Sequence, residues 1–180
     1  MKKNWDTIEL LRHCRHDWLN QLQLIKGNLA LNNVEKVHAI IEDIVQRTSN
    51  ESNLSNLHAN KLASYLLTVN WEGNPFVVDF EITNSGVQLS KYDEMLTKWF
   101  TQFFLTLKDV ACEGVENHIM LSFQLYKEEQ SIVVDFSGKV NDTSSIEKML
   151  HNQLGSNMSI KDISIHEEEL VFTLRLNEVK

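Results

Sequence analysis

The stretch Arg15-His16-Asp17-Trp18-Leu19-Asn20-Gln21-Leu22-Gln23-Leu24-Ile25-Lys26-Gly27 decides how this chain is read. At about 100° of rotation per residue, Leu11, Cys14, Trp18, Leu22, Ile25 and Leu29 form one apolar stripe, and Glu9, Arg12, His13, His16, Asn20, Gln23 and Gly27 fall on the far side. The periodicity predicts an amphipathic helix that displays His16 outward. Asp6 supplies its start: an aspartate accepts from the free amides of a first turn, and Glu9 three residues on completes a capping box. The helix is expected to end near Leu31.

Asn32-Asn33 then supplies a tight reversal, and Val34, Val37, Ile41 and Ile44 repeat at the alternating three- and four-residue spacing of a second helical seam. A lone hairpin has nothing to cover both stripes. Each buried aliphatic side chain is worth about 1.5–3 kcal/mol relative to exposure, so a second copy is the economical cover. The expectation is a homodimer joined through a two-fold symmetric four-helix bundle, with His16 on its outer faces. The polar run Thr48-Ser49-Asn50-Glu51-Ser52-Asn53 reads as a hinge, giving a hairpin over residues 1–53 and a second domain over 54–180.

Beyond the hinge the period changes. Lys61 to Val69, Lys91 to Cys112 and Asp142 to Leu154 read as helices; Phe76 to Ile82, Ile119 to Tyr126 and Ile132 to Phe136 read as strands. Ile160 to Ile165 and Leu170 to Leu176 form a closing hairpin around His166-Glu167-Glu168-Glu169. The fold class is therefore α+β, a helical hairpin followed by a mixed sheet covered on one face by helices.

Composition narrows the function. A net charge of −8 with no basic run beyond Lys2-Lys3 disfavours nucleic acid as a partner. Two cysteines without a C-x-x-C pair suggest neither a disulfide framework nor a zinc knuckle. With no stretch approaching the roughly 18 apolar residues of a membrane span and no signal-peptide pattern, the expected location is the cytoplasm.

An imidazole that is largely neutral near pH 7 carries a nucleophilic lone pair, so it attacks a phosphoryl group without a strong base. Transfer through a loose transition state needs in-line positioning and charge neutralisation more than covalent assistance. An exposed histidine on a rigid helix supplies the first. A lone surface histidine is ordinarily a solvated residue, Asp17 as its sequence neighbour does not face it by helical geometry, and the charges of Glu9 and Arg12 are ordinary for a helix surface. What raises His16 above that background is the whole run around it.

Arg15-His16-Asp17-Trp18-Leu19-Asn20, continued through Leu22, Ile25 and Gly27, resembles the phosphorylatable helix of bacterial two-component systems of the H-D-x-x-N type, and over residues 9–31 the sporulation phosphotransferases among them. The resemblance implies a phosphotransferase in which His16 takes a phosphoryl group from the phosphoaspartate of one response regulator and passes it to the aspartate of a second that controls sporulation. It implies that Asp17 and Asn20 shape the site, and that Arg12, His13, Arg15, Gln23 and Lys26 meet the partner. No intrinsic cofactor is expected, Mg²⁺ being supplied by the response regulator. For the second domain it implies an α/β sandwich resembling a histidine-kinase ATPase domain.

The alternatives are a histidine autokinase and a non-catalytic adaptor that docks a response regulator. For the autokinase, the nucleotide-binding parts of that domain look missing. Met95 to Phe104 has no asparagine where the motif requires one, and Val134-Asp135-Phe136-Ser137-Gly138-Lys139 keeps an aspartate and one glycine, with Gly138 read as a turn former. Only Gly155 lies between Asn141 and Asn157, too little for a loop wrapping a triphosphate. Trp99, Phe100, Phe103 and Phe104 are read as core. A metal site from Glu9, His13 and His16 lacks the full carboxylate-histidine ligand set. Cys14 is expected to be a buried, unreactive hydrophobe, Leu54-Ser55-Asn56-Leu57 an uninformative linker, and His38, His58, His118, His151 and His166 structural or solvated.

Overall fold

The computed structural model describes residues 5–83, 86–151 and 157–177. The chain is α+β and divides into two compact units, Met1–Ser49 and Asn50–Lys180.

In the first unit, α1 (Thr7–Ala30) starts at the expected cap: the Glu9 amide donates to Asp6 Oδ1 at 2.8 Å, and the Glu9 carboxylate reaches back to the Asp6 amide. Two of the helix's orphan amides are thereby satisfied. The turn passes through Asn32 at φ +55°, and Asn33 accepts from the Lys36 amide at the start of α2 (Val34–Ser55). Asparagine is among the few residues that tolerate this left-handed backbone and also cap a helix.

The expected hinge lies inside α2, which runs unbroken over residues 48–53. Serine and asparagine disfavour helix interiors only weakly, and two anchors outweigh them. Leu54 is 1% exposed and Leu57 fully buried, both within the core of the second unit. The segment read as linker is thus an anchor. Its signal was faint, two leucines among polar residues.

The second unit continues with α3 (Asn60–Thr68) and a short 3₁₀ turn (Val69–Glu72), then β1 (Val77–Thr83). Another 3₁₀ turn (Ser90–Tyr92) leads into α4 (Asp93–Val110), followed by β2 (His118–Leu125), β3 (Gln130–Ser137), α5 (Thr143–His151), β4 (Met158–Ile165) and β5 (Glu169–Leu176). The strands form one mixed sheet in the order β1-β2-β3-β5-β4, with β1 parallel to β2 and the other neighbours antiparallel. Residues 152–154 of the predicted third helix, and Gly155, lie outside the described residues.

Alternation sets which sheet face is covered. Ile119, Leu121, Phe123 and Leu125 of β2, Ile132, Val134 and Phe136 of β3, and Leu170, Phe172 and Leu174 of β5 all point to one buried layer. Leu62 and Leu66 of α3, Leu96, Phe100, Phe103 and Leu107 of α4, and Ile146 and Leu150 of α5 fill it from the helical side. Because α3 has no cap of its own, Asp93 at the start of α4 serves: its two carboxylate oxygens accept from the Lys61 and Leu62 amides at 3.0 and 2.8 Å. Lys61 also bonds Glu94, whose carboxylate the ammonium holds below its usual range.

Asn117 ties the loops at one end of the sheet. It is buried, its amide donates to the Pro75 and Cys112 carbonyls at 2.8 and 2.9 Å, and its Oδ1 accepts from the Lys139 amide at 2.8 Å. Gly138 exists for this approach: a Cβ there would sit 2.2 Å from Asn117 Oδ1 and 2.9 Å from its Cα. The residue expected as a turn former is a clearance for another side chain. Gly138→Ala is expected to cost about 1–3 kcal/mol by overpacking a site that cannot shift without breaking the Asn117 bonds, read as a lower urea midpoint at unchanged slope.

Candidate phosphoacceptor site

Everything expected at the site sits on α1, and the single chain leaves it open. The His16 side chain is 71% exposed. Its Nδ1 lies 3.4 Å from Asp17 Oδ1 and 3.2 Å from Asn20 Nδ2. The expectation that Asp17 would not face its neighbour is corrected here, because a carboxylate reaches around the helix where two Cβ atoms do not. Asn20, one turn on, is placed by the i, i+4 rule.

The two contacts define two states of one ring. With hydrogen on Nδ1, Asp17 accepts it and Nε2 carries the lone pair. With hydrogen on Nε2, Nδ1 accepts from the Asn20 amide. Neither contact uses Nε2. The arrangement is the base-and-orienter logic of an activated nucleophile, stripped to an exposed imidazole.

Arg12, Arg15, Gln23 and Lys26 are all exposed along the same helix, and His13 is half-buried. Helical rotation puts Arg12 and Gln23 beside His16, with Arg15 and Lys26 further round on one flank and Asp17 on the other. The cations therefore lie to one side of the ring. His13 makes a perpendicular ring contact with Trp5 at 4.8 Å between centroids. Trp5 was not singled out from the sequence; an aromatic residue just before a capping box is its only signal.

Opposite the histidine face the apolar stripe is uncovered in the single chain. Leu11, Trp18, Leu22 and Leu29 are 50–55% exposed, and no residue of α1 is buried. Cys14, expected to be buried, is exposed for the same reason: its stripe has no cover within one chain. Leu19 and Leu24, which the stripe leaves out, are 57% exposed.

In the second unit, Trp99, Phe100, Phe103 and Phe104 are core, as expected, with Trp99 stacked on Phe103 at 5.4 Å and perpendicular to Phe172 at 5.8 Å. The inward face of α4 is packed with aromatic rings. His118 Nε2 bonds Asp79 Oδ2 at 2.7 Å on the open sheet face, and His151 Nδ1 bonds the Glu147 carbonyl. Among the described residues no group of three or more His, Cys, Asp or Glu is placed to hold a metal ion, and no helix is long and apolar enough to cross a membrane.

A hairpin carrying an exposed histidine in an H-D-x-x-N run, followed by a helix-covered mixed sheet, resembles proteins of the two-component type. Residues 1–57 match the alpha-helical domain of SpoOB-type sensor kinases, and residues 58–177 match the C-terminal domain of sporulation initiation phosphotransferase B. Sporulation initiation phosphotransferase B of Bacillus subtilis (strain 168) is 36% identical over 149 residues, covering 82% of this chain and 78% of that protein. The chain belongs to the sporulation initiation phosphotransferase B family. Among solved structures, the Acinetobacter baumannii histidine kinase AdeS aligns over 90% of this chain and 97% of its own with a TM-score of 0.41 at 12% identity. The catalytic domain of histidine kinase ThkA aligns over 69% and 92% with a TM-score of 0.36 at 13% identity.

Proposed function

We propose that this chain relays a phosphoryl group through His16, taking it from the phosphoaspartate of one response regulator and giving it to the aspartate of a second that controls sporulation. The observation that carries the reading is the exposed His16 ring whose Nδ1 side is engaged by Asp17 and Asn20 while Nε2 is left to the solvent. Membership of a phosphotransferase family supports it.

In the step itself, the Nε2 lone pair forms the N–P bond as the acyl O–P bond breaks and its electron pair returns to the leaving carboxylate. The Nδ1 hydrogen stays in place, so the phosphorylated ring carries a positive charge facing Asp17. That charge keeps the N–P bond a good leaving bond for the second transfer, which is the same step reversed. No proton has to leave or enter, which suits a site open to water. Asn20 engages the ring in its other tautomer, when Nδ1 is an acceptor, which is not the form that attacks.

Charge neutralisation on the phosphoryl oxygens falls to the partner's Mg²⁺. Arg12, Arg15 and Lys26 favour approach of an acidic pocket and steer the encounter, and with His13 and Gln23 they make the docking face. Two chains share the apolar stripe in a four-helix bundle, so the working form is a cytoplasmic homodimer with two outward histidines. Autophosphorylation from ATP is not part of the reading: the nucleotide-binding side chains are missing from the sequence, and α4 turns an aromatic wall inward.

A regulator labelled on its aspartate, the chain and a second regulator test this together. Label is expected to leave the first regulator, appear on the chain, and reach the second within the same incubation, while ATP alone leaves the chain unlabelled. Label drawn from ATP, or passing between regulators at the same rate without the chain, overturns it.

A further inference from the structure

Resting on that reading, we infer that His13 is a second working imidazole, donating a hydrogen bond to the phosphoryl group on His16, and that Trp5 is the positioning residue that holds its ring. His13 precedes His16 by three residues, so on α1 the two side chains are surface neighbours with Cβ atoms about 5–6 Å apart. A tetrahedral phosphoryl group on His16 Nε2 brings its oxygens within reach of a ring one turn away. The two rings differ in freedom. His16 stands out into solvent with contacts at one nitrogen only, whereas His13 is half-buried and set at 87° to the Trp5 ring.

Such an edge-to-face pair is favoured by the opposite charges of ring face and ring edge. It limits rotation of the imidazole about its Cβ–Cγ bond. A donor fixed before the reaction costs no reorganisation when charge gathers on the transferring oxygens. The metaphosphate-like transition state spreads its charge over three oxygens. A metal ion held by the partner would offset charge from the regulator's side, and an oxygen turned toward α1 is the one His13 can meet. Trp5 lies just outside the helix, next to the Asp6 cap, so cap and clamp belong to one local device.

The test compares His13→Ala, His13→Gln, Trp5→Ala and Trp5→Phe in the full chain, measuring single-turnover transfer from a labelled phospho-regulator over a range of regulator concentrations. His13→Ala is expected to lower the maximal rate by on the order of 10-fold or more, over and above any rise in the half-saturating regulator concentration from its loss at the docking face. His13→Gln, which keeps an N–H donor, is expected to recover most of it. Trp5→Ala is expected to show a smaller loss of the same kind, and Trp5→Phe to restore it. Circular dichroism and thermal melting monitor the helix start, since a Trp5 that only supports the cap would alter melting and leave the transfer rate alone.

Unchanged rates in His13→Ala and Trp5→Ala, or a loss confined to the half-saturating concentration, overturn the inference. Either result is distinguishable from failure of the relay reading, in which the unaltered chain takes no label at all.

Discussion

Replacing His16 by Gln is expected to abolish transfer from a phosphorylated regulator, by more than about 1,000-fold, while leaving the protein folded. Glutamine keeps the size and the hydrogen-bonding capacity but has no nucleophilic nitrogen, since its amide lone pair is delocalised. The side chain is 71% exposed, and its contacts are those to Asp17 and Asn20, themselves on the surface. Exposed substitutions of this kind ordinarily change stability by no more than about 0.5 kcal/mol. The loss is therefore one of chemistry, and matching melting curves for the two proteins check that assignment. An adaptor that docks regulators without chemistry would retain its effect in the variant. Regulator binding by His16→Gln, read by titration, separates docking from transfer.

The second large effect concerns the stripe. If two chains join through the stripe as proposed, Leu22→Glu is expected to convert the dimer to monomers at micromolar concentration. Leu22 is 55% exposed in the single chain, in line with Leu11, Trp18 and Leu29. In a two-fold bundle that row is interior, and each copy brings one carboxylate. Taking such an ion out of water costs several kilocalories per mole even after relaxation, and two like charges meet near the axis. Leu24→Glu is the control. Leu24 is as exposed as Leu22 but lies off the stripe, so the same charge there should leave the dimer intact. Light scattering on the two variants reads the outcome directly; a dimeric Leu22→Glu protein would remove the bundle from the account.

These expectations trace back to how legible each part was in the residues. The first helix could be read closely because two independent signals coincide, the Asp6/Glu9 capping box and a 3.6-residue apolar period sustained over several turns. The strands could be read because half-buried sheets alternate, and Ile119, Leu121 and Phe123 do so plainly. The run over residues 48–53 is where the two units divide, but its helical continuity could not be read. Thr48 to Asn53 has the composition of a loop, and only the burial of Leu54 and Leu57, a tertiary fact, explains why the helix continues through it.

The site divides the same way. His16, Asn20 and the surrounding cations follow from helical spacing. The approach of Asp17 to Nδ1 depends on a side-chain rotation that no spacing rule contains. The pairing of Trp5 with His13 joins a residue outside the helix to one inside it, and the role of Gly138 needs Asn117 from another strand's entry. Periodicity reports which face a residue occupies; it is silent on contacts made across element boundaries. Cys14 shows the converse, a residue assigned correctly to the stripe yet exposed because one chain cannot cover it.

On the proposed relay, a single outward imidazole carries the phosphoryl group. The most direct measurement is the site of modification after the chain is mixed with a phosphorylated regulator. The expected product is one phosphoryl group per chain, labile to acid and stable to base, on Nε2 of His16, with the peptide around residues 15–26 bearing it. A phosphoryl group found on another residue, or none on a chain that still speeds transfer between regulators, would contradict it.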